Sequence, residues 1–446
     1  DRMGPMTGRK NEDFFDPWEA APERTRARER ARRLAEYVRH ARGLGFYRER
    51  LAGFDPRSEH PLLEVPPLRS EDLRRLLPPA GKGLLTPRNP GYTVFQSGGT
   101  TGSPKTSLFS HAEMEALELP NRRGFHAVGL RRGDRVANLF AVGQLYMTFL
   151  HIHRALEASD CVNFPFSNNT PPEFVHSLSR LFRVNVMTGI SSVVLQCLRS
   201  WAKLGLKGAR IERLYYGGEH LYDADRDELR ERFGIRKVFA PGYGTVDTWY
   251  IGYQCSACAP GVFHAHDDQC FMEIVDEGAK RPCGPGQEGM LYATALPRRL
   301  TPIVRYRVGD RARWLPDPCP CGRTTPLFEL LGRGDDVLRI GYDSVDYACL
   351  QDCVRRVRGL SGAAQMQKKR EKGRDRLILR VESALPASSR RRLGRALEGE
   401  MLSRRPTLSK LLAQGGIHPL RVEVGAEGSL ARNPRTGKLV RVIDDR

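Results

Sequence analysis

The stretch richest in ligand-binding groups is Gln96-Ser-Gly-Gly-Thr-Thr-Gly-Ser-Pro-Lys105. Gly98, Gly99 and Gly102 let the backbone approach a ligand closely and turn where other residues are strained. Ser97, Thr100, Thr101 and Ser103 add hydroxyl donors, and Lys105 adds a cation. Successive backbone N–H groups in such a loop form an anion nest suited to phosphate oxygens. It is not a Walker loop, because Pro104 precedes the lysine where that motif needs glycine. Four further clusters accompany it: Tyr216-Gly217-Gly218-Glu219, Gly242-Tyr243-Gly244-Thr-Val-Asp247, Arg305-Tyr-Arg-Val-Gly-Asp310 and Asn433-Pro-Arg-Thr-Gly-Lys438. Each alone is an ordinary turn. Together, in this order, they point to one composite site.

A second constellation is Cys255-x2-Cys258-x5-His264 with Cys319-x-Cys321 beside Gly322-Arg323. Two close pairs of soft ligands are a tetrahedral zinc pattern, and five candidates compete for four positions. No open position is implied, so the expected role is structural. The other cysteines (Cys161, Cys197, Cys270, Cys283, Cys349, Cys353) read as small buried hydrophobes.

The elements that must position these residues follow from hydrophobic periodicity. A long helix is expected over Pro17–Leu44, then loops and short elements through the proline-rich run from Pro56 to Pro79. Strands are expected at Tyr92–Gln96, Arg135–Val142, Val184–Thr188, Arg213–Tyr216 and Lys237–Ala240. Helices are expected at His111–Val128, Leu145–Leu156, Pro171–Leu181, Ile190–Leu204 and Asp223–Phe233. Strands alternating with helices predict an α/β fold with a parallel sheet, whose strand ends carry the Gly218 and Tyr243 clusters where ligands bind. Shorter, turn-rich strands follow to about Leu331. The last segment has strands at Arg376–Val381 and Leu420–Val424 and a helix at Ser388–Leu402, predicting a small α+β unit.

The 446 residues predict two to three domains, or one large domain and a small one. At 40% hydrophobic residues, the chain can build a sizeable core, which excludes wholesale disorder. No apolar run approaches the ~18–20 residues of a membrane helix. No leader pattern opens the chain, Asp1–Glu12 reads as a flexible end, and the expected location is the cytoplasm. The net charge of +20 comes mostly from arginine, which is scattered outside Arg24–Arg33 and Arg390–Arg392. Dispersed surface arginine is therefore expected rather than a nucleic-acid footprint.

From about Trp18 to Arg446 the sequence resembles the adenylate-forming superfamily of acyl-CoA synthetases, luciferases and peptide-synthetase adenylation domains. The most similar branch is the phenylacetate-CoA ligase-like group. The resemblance implies a large N-terminal domain, residues 1–334, with a zinc-stapled β-rich part at about 243–331. A small mobile α+β lid, residues 335–446, would follow. It implies that Ser97, Gly98, Gly99, Thr100, Thr101, Gly102 and Lys105 bind ATP phosphates, with Gly218, Glu219, Tyr243 and Gly244 around adenine. Asp247 would help hold Mg²⁺, Asp310 the ribose hydroxyls and Arg333 the nucleotide, with a hinge near Asp335. Lys438 would be the lysine that swings in for adenylation. Tyr146, Gly217 and Trp249 would line the acid pocket. Relatives imply Cys255, His264, Cys319 and Cys321 as zinc ligands, with Cys258 as the alternate.

Two departures stand out. Val246-Asp247 replaces the usual Thr/Ser-Glu, and Gly341–Leu350 lacks the proline and glutamate of the family's thiol channel. The implied function is ATP-dependent activation of a small aromatic acid as acyl-AMP, for transfer to an amine, a thiol or CoA. One alternative is a diazotase that activates nitrite for an aryl amine. An alternative of another class is a non-catalytic nucleotide or nucleic-acid binder. A monomer or homodimer is expected, with no membrane and no specific nucleic-acid partner.

Overall fold

The computed structural model describes residues 14–87, 91–96, 105–218, 221, 223–334, 337–340, 343–371, 374–413, 415, 417–434 and 437–445. The expected flexible end, Asp1–Glu12, lies outside these residues. The long helix expected over Pro17–Leu44 is divided. A 3₁₀ turn, Pro17–Ala20, is capped by Asp16, whose side chain accepts from Trp18 N at 3.0 Å. Pro22, extended and without an N–H, then separates it from α1 (Glu23–Ala41). This helix buries Leu34, Tyr37, Val38 and Ala41. Short helices α2 (Gly45–Arg50) and α3 (Ser70–Leu76) occupy the proline-rich region.

The strand expected at Tyr92–Gln96 does form, as β1 (Thr93–Gln96), but not in the parallel sheet. It pairs antiparallel with β2 (Thr106–Phe109), which the periodicity did not predict. The helix expected at His111–Val128 is two, α4 (His111–Ala116) and α5 (Glu118–Ala127). The first is fixed by a capping box in which Ser110 N donates to Glu113 Oε2 at 2.7 Å.

Five parallel strands form the sheet that organises the site: β3 (Arg135–Asn138), β4 (Val162–Phe164), β5 (Val186–Ile190), β6 (Arg213–Gly217) and β7 (Lys237–Phe239). Their order is β4-β3-β5-β6-β7. The expected strand to Val142 stops at Asn138, whose Oδ1 accepts from Phe140 N and turns the chain. Helices α6 (Thr148–Glu157), α7 (Pro172–Leu181), α8 (Ser191–Lys203) and α9 (Asp223–Glu231) alternate with the strands. The chain leaves β3 for β4 and returns past β3 to β5. The switch point, where open α/β sheets bind ligands, therefore lies between β3 and β5.

A seven-stranded antiparallel sheet follows: β8 (Tyr243–Thr245), β9 (Trp249–Tyr253), β10 (Val262–Ala265), β11 (Cys270–Val275), β12 (Glu288–Ala295), β13 (Tyr306–Trp314) and β14 (Leu327–Arg333). Its order is β11-β12-β13-β14-β10-β9-β8. Next comes the hairpin β15 (Val337–Ile340) and β16 (Asp343–Asp346), then α10 (Tyr347–Arg356), β17 (Ala364–Glu371), β18 (Arg374–Glu382), α11 (Ala387–Arg404), α12 (Pro406–Ala413), β19 (Arg421–Gly425) and β20 (Val442–Asp445). These last elements gather a core of their own around Leu350, Met366, Leu379, Leu397 and Met401.

Arginine is less superficial than expected. Arg26, Arg123, Arg298 and Arg305 are among the largest fully buried side chains. Two of them tie the N-terminal segment to the loop after β10: Arg26 pairs with Asp267, and Arg123 with Asp16 and Asp268. Among the described residues no helix is long and apolar enough to cross a membrane.

Candidate active site and metal centre

At the switch point the loop after β3 carries Phe140 and Tyr146, both buried. Gly143, Gln144 and Leu145 all have positive φ, at 81°, 47° and 58°. Such strain in non-glycine residues is typical of functional loops. Leu145 O accepts from Gln96 N at 2.9 Å, which holds the loop beside β1. Gly217 ends β6, and a Cβ there would lie 3.5 Å from Phe140 Cζ. Gly218 has φ +80°, and a Cβ there would come within 2.9 Å of Lys438 Cε. The bare glycine is thus what admits Lys438, whose Nζ stands 5.8 Å from the centroid of the Tyr146 ring. Lys438 comes from the last segment of the chain and Gly218 from the parallel sheet, yet they meet as side chain on backbone.

A second set of charges lies on the seven-stranded sheet. Lys105 Nζ is ion-paired with Asp247 and donates to Tyr306 Oη at 2.7 Å. Tyr306 Oη donates to Asp247 Oδ2 at 3.2 Å and contacts Ser70 Oγ at 3.0 Å. Burial works to lower the Lys105 pKa, but the Asp247 carboxylate and Tyr306 outweigh it and hold the ammonium up at about 12. Asp247 is buried, and its Oδ1 has no hydrogen-bond partner. An orphaned buried carboxylate oxygen is costly unless a cation or donor meets it. Asp247 is not the cap of its turn. Thr245 Oγ1 takes that role, accepting from Asp247 N and Thr248 N. Tyr243 Oη donates to Asp310 Oδ2 at 2.5 Å, and its ring packs against Phe263 and Phe328. Gly244 pairs with Tyr250 across β8 and β9, and Asp310 lies opposite Arg333 in the β13–β14 register.

Sequence reasoning missed Tyr306 and Ser70. Tyr306 stands inside the Arg305–Asp310 cluster, but nothing in the spacing shows that its hydroxyl turns toward Lys105. Ser97, Gly98, Gly99, Thr100, Thr101, Gly102 and Glu219 lie outside the described residues. Trp249, expected in the acid pocket, packs in a cluster with Phe95, Phe109 and Met147. Its rings also meet His151 and Tyr250, each at 5.0 Å. Burial drives His151 down to a pKa of about 3, so it is neutral, with Nδ1 near Asn121 and Tyr250. It is unsuited to be a general base at neutral pH.

All five zinc candidates converge at the end of β9, beside His264 on β10 and the segment before β14, among interior strands of the antiparallel sheet. Cys255 Sγ lies 3.6 Å from both Cys258 Sγ and Cys319 Sγ, and Cys321 Sγ lies 3.5 Å from His264 Nε2. A tetrahedral ion with Zn–S near 2.3 Å requires S···S spacings of about 3.8 Å. The donor chemistry and spacing therefore fit such an ion. The donors within 4.8 Å of one another are Cys255, Cys258, His264 and Cys319. That quartet includes Cys258 where Cys321 was expected. The tight turn in which Cys258 N donates to Cys255 O brings its thiol back. His264 Nδ1 faces Thr325 Oγ1 at 3.1 Å, leaving Nε2 toward the thiols.

Comparison with known proteins agrees with this architecture. The AMP-binding enzyme family matches residues 63–295. A phenylacetate-coenzyme A ligase of Thermus thermophilus is 28% identical over 321 residues, 70% of this chain and 70% of that one. An indoleacetate–lysine synthetase of Pseudomonas savastanoi is 25% identical over 40% of this chain and 42% of its own length. In fold, the chain matches 2-hydroxyisobutyryl-CoA ligase with 2-HIB-AMP in the postadenylation state at TM-score 0.80, 24% identity, and coverage of 100% and 94%. Against the same enzyme with 2-HIB-AMP and CoA in the thioesterification state, the TM-score is 0.68, identity 25%, and coverage 100% and 95%. The family match spans more than half of the chain, and the curated relatives and solved folds agree with it. The chain belongs to the AMP-binding enzyme family, in the phenylacetate-CoA ligase-like branch of adenylate-forming enzymes, and is an ATP-dependent, AMP-forming ligase.

Proposed function

We propose that the chain activates a small aromatic carboxylic acid as its acyl adenylate and passes the acyl group to the thiol of CoA. The observation that carries this reading is Lys438 seated on Gly218 and over Tyr146, between the ends of the parallel strands. A carboxylate oxygen of the substrate attacks the α-phosphorus of ATP, and pyrophosphate leaves. In the second step the thiol sulfur attacks the acyl carbon, and AMP leaves with the bridging oxygen. Charge builds on the phosphoryl oxygens in the first step. The ammonium groups of Lys438 and Lys105 stabilise it where it develops.

Asp310 and Tyr243 would hold the ribose and adenine, aided by Gly244, Glu219 and Arg333, and the loop Ser97–Lys105 would hold the phosphates. Asp247 Oδ1 would be the chain's own ligand for Mg²⁺, which when bound would offset phosphate charge. The Cys255, Cys258, His264, Cys319 and Cys321 cluster would hold a structural Zn²⁺. Phe140, Tyr146 and Gly217 would form a flat slot for the acid, with Trp249 behind it. Aromatic acids are supported by that slot and by relatives named for phenylacetate and indoleacetate. The acceptor is supported by relatives named as coenzyme A ligases. Residues 1–334 would bind ATP and acid. Residues 335–446 would carry Lys438 and reorient between the two steps.

The test is pyrophosphate release over a panel of aromatic acids, with CoA, amines or nitrite added in turn. The expected result is release that requires an aromatic acid, with a CoA thioester as product. Release that requires nitrite and ignores every acid would overturn the reading, and an amide product would reassign the acceptor.

A further inference from the structure

We propose that α7 and the neighbouring edge of the parallel sheet form the contact between two copies of this chain, related by a twofold axis. β4 is an edge strand, paired only with β3. Beside it α7 turns apolar residues outward: Phe174 is 53% exposed and Leu181, two turns on, is 70% exposed. Phe182 and Val162 extend the same apolar surface, and Phe164 and Phe166 link it through ring contacts with Phe182 and Phe174. Scattered exposed apolar residues are ordinary, but a contiguous patch of this kind on a chain of net charge +20 marks an interaction surface.

Its charges say what covers it. Glu173 opens α7 and Arg180 stands near its end, both exposed. Among the described residues neither side chain has an ion-pair partner within its own chain. Seven residues apart, they lie on one side of the helix, flanking the Phe174–Leu181 stripe. Two such helices laid antiparallel about a twofold axis bring Glu173 of each against Arg180 of the other. Ser177 lies near the midpoint, where its small side chain lets the two backbones approach. A closed twofold contact must be self-complementary in this way. A foreign partner would have no reason to match a surface that matches itself.

Sedimentation of the full chain at micromolar concentration tests this. The wild type is expected to be a dimer. Glu173→Arg and Arg180→Glu alone should each raise its dissociation constant by at least ~10-fold, since each sets like charges together. The two combined should restore it. All three variants should keep wild-type adenylation per chain, because neither residue belongs to the active site. A monomeric wild type would overturn the proposal. So would a dimer indifferent to the single reversals, or single reversals that the double variant does not rescue.

Discussion

At the scale of single residues the site turns on two contacts, Lys105 with Asp247 and Lys438 over the Tyr146 ring. Asp247 has one oxygen committed to Lys105 and Tyr306 and the other buried without a partner. Asp247→Asn should leave the fold intact, because Thr245 caps the turn, and should raise the Mg²⁺ needed for half-maximal turnover by ~10-fold or more. Asp247→Glu should be much milder. Tyr306→Phe keeps the ring but removes the hydroxyl that donates to Asp247 and accepts from Lys105. It should move the Mg²⁺ and ATP curves in the same direction as Asp247→Asn, by less, with a smaller effect on kcat. An unchanged Mg²⁺ titration in Asp247→Asn, with only a lowered melting temperature, would reduce the carboxylate to a structural role.

At the scale of elements, the antiparallel sheet carries the Cys/His cluster at the end of β9 and the Glu273 carboxyl on its edge strand β11. Preparations are expected to carry about one zinc per chain by elemental analysis. Chelation should lower the melting temperature, because the metal joins β10 to the segment before β14. A fully folded, transition-metal-free protein with the wild-type melting temperature would contradict this.

Glu273 on β11 makes its own prediction. Burial pushes its pKa up to about 7, and Arg305, 3.4 Å away, only partly opposes this. Arg305 is shared among the carbonyls of Leu63, Val65 and Ala279. A carboxyl whose folded pKa is raised binds its proton more tightly in the native state. Its stabilising share is therefore full below the ordinary carboxyl range and is lost as pH rises through about 7. Glu273→Gln should flatten the fall in melting temperature between pH 5 and 8, a window that carries about 1–3 kcal/mol. A parallel fall in both proteins would remove Glu273 as the cause.

Much of this was legible in the sequence, for stated reasons. The clusters ending at Gly218 and Asp247 follow parallel strands, and hydrophobic periodicity gives such strands away. β4, three residues long at the edge of the parallel sheet, was not among the expected strands. β1 was found but given the wrong partner, since a strand's pattern does not say which strand it pairs with. Pro22 could have been read as a helix break. The burial of Arg26 and Arg123 could not, because only the fold brings Asp16, Asp267 and Asp268 to them. The same holds for Tyr306, whose partners are distant in sequence.

At the scale of the whole molecule, the parallel sheet supplies the ends of β3, β5 and β6. The antiparallel sheet supplies Asp247 and Asp310, and the last segment supplies Lys438. In the proposed reaction no one of these units would contain the chemistry alone. Replacing Lys438 by Ala should slow adenylation by at least ~10²-fold with ATP binding little changed, because the charge it offsets exists mainly in the transition state. Attack of a substrate carboxylate on the α-phosphorus of ATP is tested most directly by isotope transfer. An aromatic acid labelled with ¹⁸O in its carboxylate is turned over with ATP and CoA, and the AMP is weighed. Each AMP is expected to carry one labelled oxygen from the acid. Unlabelled AMP, or label found in orthophosphate with ADP as the nucleotide product, would contradict it.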